Sequence, residues 1–142
     1  MEPFLMENDQ VIVVSADKKD IFPGDIVVFR REGKDYVHRV VFVNNNSFYE
    51  IGDNKRVGNW ESFNQPLGKV VYIEKKDGRK IDLSSKSERK IAKKIVFYQK
   101  LRYKQAETKK HINIKLFSFF TIKFLKILEL FFKPRGFFEE KN

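Results

Sequence analysis

The sequence predicts a mainly antiparallel β domain over residues 1–83, followed by a basic tail over residues 84–142 that carries two α-helices. Three observations lead there. Short apolar runs of β type recur through the first part with turn formers between them. Near Ser84 the apolar spacing changes to a helical period. Charge divides at the same place, because residues 1–83 hold 13 Lys and Arg against 14 Asp and Glu, whereas residues 84–142 hold 16 against 5. A chain of 142 residues has room for one such core and a tail.

The predicted strands are Val11–Ser15, Ile26–Arg30, Tyr36–Val43, Phe48–Ile51, Leu67–Glu74 and Ile81–Leu83. Each is rich in Val, Ile, Phe or Tyr, the side chains that suit a pleated, half-buried surface. The segments between them read as turns: Pro23-Gly24-Asp25, Glu32-Gly33-Lys34-Asp35, Asn44-Asn45-Asn46 and Lys76-Asp77-Gly78. Several adjacent pairs therefore read as hairpins. The seven glycines are scattered singly, and none builds a phosphate-cradling loop.

In the tail, Ser85 followed by Glu88 has the spacing of a capping box. Ile91, Ala92, Ile95, Val96 and Tyr98 then recur at helical spacing, so a helix is expected to about Tyr103, with a polar connection over Lys104–His111. A second helix is expected over about 112–132, closed by Pro134 and Gly136. At about 100° per residue its Lys115, Ser118, Lys126, Glu129 and Lys133 share one arc, and Phe, Leu and Ile take most of the remainder. The run Leu116 to Phe132 is shorter than the ~20 apolar residues of a spanning helix and carries charges, so the pattern suits a helix lying in a membrane interface. The competing reading packs its apolar face on the β domain or on a second copy.

Composition narrows the chemistry. Cysteine is absent, which removes disulfides, thiolate metal sites and a cysteine nucleophile. Only His38 and His111 offer imidazole, and neither has ligand spacing around it, so no metal site and no cofactor is expected. The net charge of +10 lies wholly in the tail and favours an anionic surface. Nucleic acid is the weaker candidate, because no recognition helix precedes the β region and the basic residues accompany a strongly apolar run. No targeting segment is expected ahead of the β region.

Three segments carry a possible active site: Met1-Glu2-Pro3-Phe4-Leu5 with Asn8-Asp9; Gly24-Asp25-Ile26-Val27-Val28-Phe29-Arg30 with Val37-His38-Arg39-Val40; and Gly52-Asp53-Asn54. In order and spacing they resemble signal peptidase I, over roughly residues 1–75. The resemblance implies a serine endopeptidase that cleaves signal or leader peptides. His38 stands at the base position, as in the archaeal and endoplasmic reticulum type, and Asp53 would orient its imidazole. Met1, Pro3, Asp9, Asp25, Arg39, Gly52 and Asn54 fall on supporting motif positions. The chemistry is coherent, since a serine hydroxyl becomes a competent nucleophile when a neutral imidazole accepts its proton.

The chain departs from that pattern at two points. The motif serine falls immediately before Met1, and none of Ser15, Ser47 and Ser62 occupies its position. Asn8 stands where the family has glycine, a mild change because asparagine tolerates the left-handed conformation. The expectation is therefore a Ser/His endopeptidase acting on a peptide or preprotein, with its serine ahead of Met1 and a membrane-associated location. The alternatives are a peptide-binding domain without hydrolysis, cytoplasmic if the chain starts at Met1, and a relative of repressor-type autoproteases or another nucleic-acid-binding protein.

Overall fold

A computed structural model describes residues 4–65 and 67–111. The elements run β1 (Gln10–Ser15), a short 3-10 turn (Lys18–Asp20), β2 (Ile26–Arg31), β3 (Lys34–Val43), β4 (Ser47–Ile51), β5 (Asn59–Ser62), β6 (Leu67–Glu74), β7 (Lys80–Asp82) and α1 (Lys86–His111). The strands form one antiparallel sheet in the order β1-β6-β2-β3-β4-β5, with β7 also paired to β6. The mainly β class is thus as expected. The second expected helix, over about 112–132, lies outside the described residues, and no described helix is long and apolar enough to cross a membrane.

Turn chemistry fixes the central hairpin. Glu32 and Gly33 both take positive φ, 52° and 76°, the backbone of a two-residue turn whose twist matches its strands, and β2 leaves directly into β3. The β3–β4 turn is held by the Asn44 side chain, whose Oδ1 accepts from the amides of Asn46 and Ser47 and from the Ser47 hydroxyl. Asn8 takes a φ of 71°, the left-handed backbone that asparagine tolerates.

Alternation along the strands gives the sheet two apolar faces. On one, Val27, Phe29, Val40, Phe48 and Leu67 pack with Ile21. On the other, Ile26, Val70 and Ile73 form one cluster with Phe4, Leu5 and Val37 against it. Val41, Tyr49 and Ile51 on that same side pack with Val96 of α1. Between Val40 and Phe42 the pairing of β3 with β4 slips by one residue, a β-bulge.

Two boundaries differ from the sequence reading. β5, Asn59–Ser62, falls where no strand was expected. Its Asn-Trp-Glu-Ser sequence has no apolar alternation, and it is strand because β4 offers an edge to pair with. The helix also continues through Lys104–His111, where a polar connection was expected. Gln105, Ala106, Glu107 and Lys109 are good helix formers, and no Gly or Pro interrupts them. At the start of α1 the Ser85 hydroxyl accepts from the Glu88 amide, one half of the expected capping box, while Glu88 Oε2 is buried without a hydrogen-bond partner.

Candidate active site around His38

His38 lies in the middle of β3, on the face that carries Phe29 and Tyr36, and its ring meets both edge-on with centroids 6.1 and 5.8 Å away. Its side chain is 21 % exposed. Nδ1 hydrogen-bonds Oε2 of Glu50, a side chain with no exposed surface. The other edge faces the β4 end, where Nε2 is 3.4 Å from the position a Cβ on Gly52 would occupy. A larger side chain at residue 52 would cover that nitrogen.

Glu50 is held from several sides. Arg31 Nη1 donates to its Oε1 at 3.2 Å, and Asn59 Nδ2 donates to the same oxygen at 3.3 Å. Arg31 also donates to Glu61 at 2.8 Å and lies over the Tyr36 ring, 4.2 Å from its centroid. Burial works against the Arg31 charge, but hydrogen bonds with Glu61 and Tyr36 and the nearby Glu50 and Glu61 charges outweigh it and raise its pKa. The Arg31 and Asn59 donors to Glu50 both meet Oε1, and Oε2 faces His38. Nδ1 is the ring nitrogen engaged by Glu50, and Nε2 lies on the opposite edge of the ring.

Asp53 does not occupy the expected place beside the imidazole. Both of its oxygens are taken by Arg39, from Nε and from Nη2, each at 2.8 Å, and the two side chains are almost wholly buried. Arg39 also donates to the Gly24 carbonyl at 2.9 Å, so the pair ties the start of β2 to the end of β4. Arg39 follows His38 in β3 and points to the opposite sheet face, where its guanidinium also meets the Phe4 ring at 5.0 Å. The described N-terminal residues therefore pack on the Arg39 face.

The other motif residues divide between these faces or leave the site. Asp25 accepts from the Phe22 amide and pairs with Lys69, which makes it a turn-holding residue at the start of β2. Asp9 accepts from the Met6 amide and from Lys75, both at 2.8 Å or less, and anchors the N-terminal turn to the end of β6. Gly52 borders His38, and Asn54 is exposed in the following turn. Met1 and Pro3 lie outside the described residues. A cavity of about 50 Å³ near Gly24, Arg39 and Glu88 has room for water but not for a peptide. Among the described residues no three His, Asp or Glu side chains are placed to share a metal ion.

Glu50, Arg31 and Asn59 were not singled out by motif. The readable signal for Glu50 is a lone acidic residue inside an otherwise apolar strand, since a carboxylate at a core position needs a partner. The fold and site together define an antiparallel β domain with a strand histidine held by a buried carboxylate network. No protein-family model, curated protein or solved structure matches the chain.

Proposed function

We propose that this β domain is the catalytic half of a signal peptidase-like Ser/His endopeptidase, with His38 as general base and Glu50, in place of Asp53, as the carboxylate that orients it. The observation that carries this reading is the His38–Glu50 hydrogen bond, which leaves Nε2 on the edge of the ring bordered by Gly52. In this reading Nε2 takes the proton of the serine hydroxyl as Oγ bonds to the peptide carbonyl carbon. It returns that proton to the leaving amine as the C–N bond breaks. Glu50 stabilises the imidazolium formed between these steps. The substrate is an extended peptide such as a signal or leader sequence.

The position of Phe4 and Leu5 favours a second reading. They pack on the sheet face opposite His38, and β1 presents exposed Ile12, Val13 and Val14 at a sheet edge. A domain that binds a peptide strand along that edge without cutting it fits these facts.

One experiment separates the two. The chain bearing a serine directly before Met1, the same chain with His38→Ala, and the chain starting at Met1 are each incubated with a signal-peptide substrate. Cleavage by the serine-bearing, His38-containing form alone supports the endopeptidase. Binding without cleavage in all three selects the peptide-binding domain.

A further inference from the structure

The side of α1 turned away from the sheet is a cationic stripe. Ile95, Val96 and Gln99 are buried on the inner side, whereas Lys86, Lys90, Lys93, Lys94 and Lys104 are exposed. At about 100° per residue, positions 86, 90, 93, 97 and 104 fall within about 60° of one another. The row from Lys86 to Lys104 is about 27 Å long. Among the described residues no carboxylate lies within ion-pair distance of these five lysines, although ion pairs are frequent elsewhere on the domain. Lys94 lies about 40° beyond that arc; among the described residues the helix thus keeps this charge unneutralised along one side, which costs self-repulsion unless an anionic surface meets it.

We propose that this face of α1 docks on an anionic phospholipid surface. Two features favour lipid over nucleic acid. The stripe is made of lysines, compact point charges that sit among headgroups, rather than of the arginine forks that grip phosphodiesters and base edges in pairs. The sequence beyond α1 also enters the run Leu116 to Phe132 within a few residues. This inference is independent of the peptidase reading, because it involves no residue of the His38 site.

The test uses the full chain, so that residues 112–142 contribute equally to every variant. Binding is measured to phosphatidylcholine vesicles with and without phosphatidylglycerol, for the unaltered chain, for K90Q/K93Q/K94Q/K104Q, and for K18Q/K19Q/K34Q/K76Q. The last removes the same charge from exposed lysines of the β domain, and circular dichroism verifies that each variant folds. Each lysine near an anionic leaflet contributes about fivefold to partitioning. Loss of at least about tenfold by the α1 variant, with a much smaller loss by the β-domain variant and dependence on phosphatidylglycerol, is the expected result. Equal losses in both variants, no loss in either, or retention on duplex DNA or RNA without vesicle binding would overturn the proposal.

Discussion

His38 Nδ1 and Glu50 Oε2 share a hydrogen bond, and the Glu50 side chain has no exposed surface. The contact links a half-buried strand imidazole to a network of Arg31, Asn59 and Glu61.

Replacing Glu50 by glutamine keeps the shape but presents an amide to donors that need an acceptor. The expected loss of stability is about 1–3 kcal/mol, the range for leaving buried hydrogen-bonding groups unsatisfied. Urea unfolding measures it. In the serine-bearing chain, kcat should fall by orders of magnitude with KM little changed, as it does when an imidazole loses its orienting carboxylate. Unchanged kcat would remove Glu50 from the proposed site.

Asp53→Asn should act differently, because it breaks a buried pair and strands the Arg39 charge. The expected cost is about 3–5 kcal/mol, and the paired change Arg39→Met with Asp53→Leu should recover much of it. Below the unfolding transition, the serine-bearing Asp53→Asn chain should retain kcat, since the His38–Glu50 contact does not pass through Asp53. Retained stability, read by urea unfolding, would count against the buried pair.

Gly58 is held to glycine by its neighbour. A Cβ there would lie 1.8 Å from the Glu50 carbonyl oxygen and 2.8 Å from its carbon, both rigid backbone atoms. Gly58→Ala must therefore displace β4 or β5, at a cost of about 1–3 kcal/mol. Amide chemical shifts of residues 49–51 and 58–60 should move, while those of β1 and β7 stay in place.

The acid side of the stability profile should depend on Asp9. The hydrogen bond from Lys75, with backbone donors from Met6 and Lys76, lowers its carboxyl pKa below the ordinary value of 3.8. A folded pKa below the unfolded one means stabilisation present above about pH 3.8 and lost as pH falls through the lowered value. Asp9→Asn should flatten part of the loss in urea midpoint on acidification. The remainder should persist, because Asp35 beside Arg30, Asp77 beside Arg79 and Asp82 beside Ser84 are lowered in the same direction. An identical acid profile for wild type and Asp9→Asn would contradict this.

Strand positions were readable wherever the strand carries its own pattern. Ile26 to Arg30, Tyr36 to Val43 and Leu67 to Glu74 have the apolar, β-branched content and the turn residues that specify them locally. β5 has neither, and only the open edge of β4 makes it a strand. α1 extends past its apolar period, because helix propensity carries Lys104 to His111 without an apolar stripe.

The sequence by itself determined the mainly β class, the positions of most strands, the start of the helix near Ser85, and the place of His38 within a strand. Which acid meets His38 was decided by tertiary structure. Without a bulge, the pairing of Val43 with Phe48 would continue to place His38 opposite Asp53. The one-residue slip between Val40 and Phe42 pairs Val40 with Glu50 and Arg39 with Ile51 instead. Side chains alternate with period two, so that slip turns Asp53 to the face of Arg39 and brings Glu50 to the face of His38. No local residue preference encodes the choice. It follows from packing both sheet faces at once, with Val40 buried on one side and Val41 on the other.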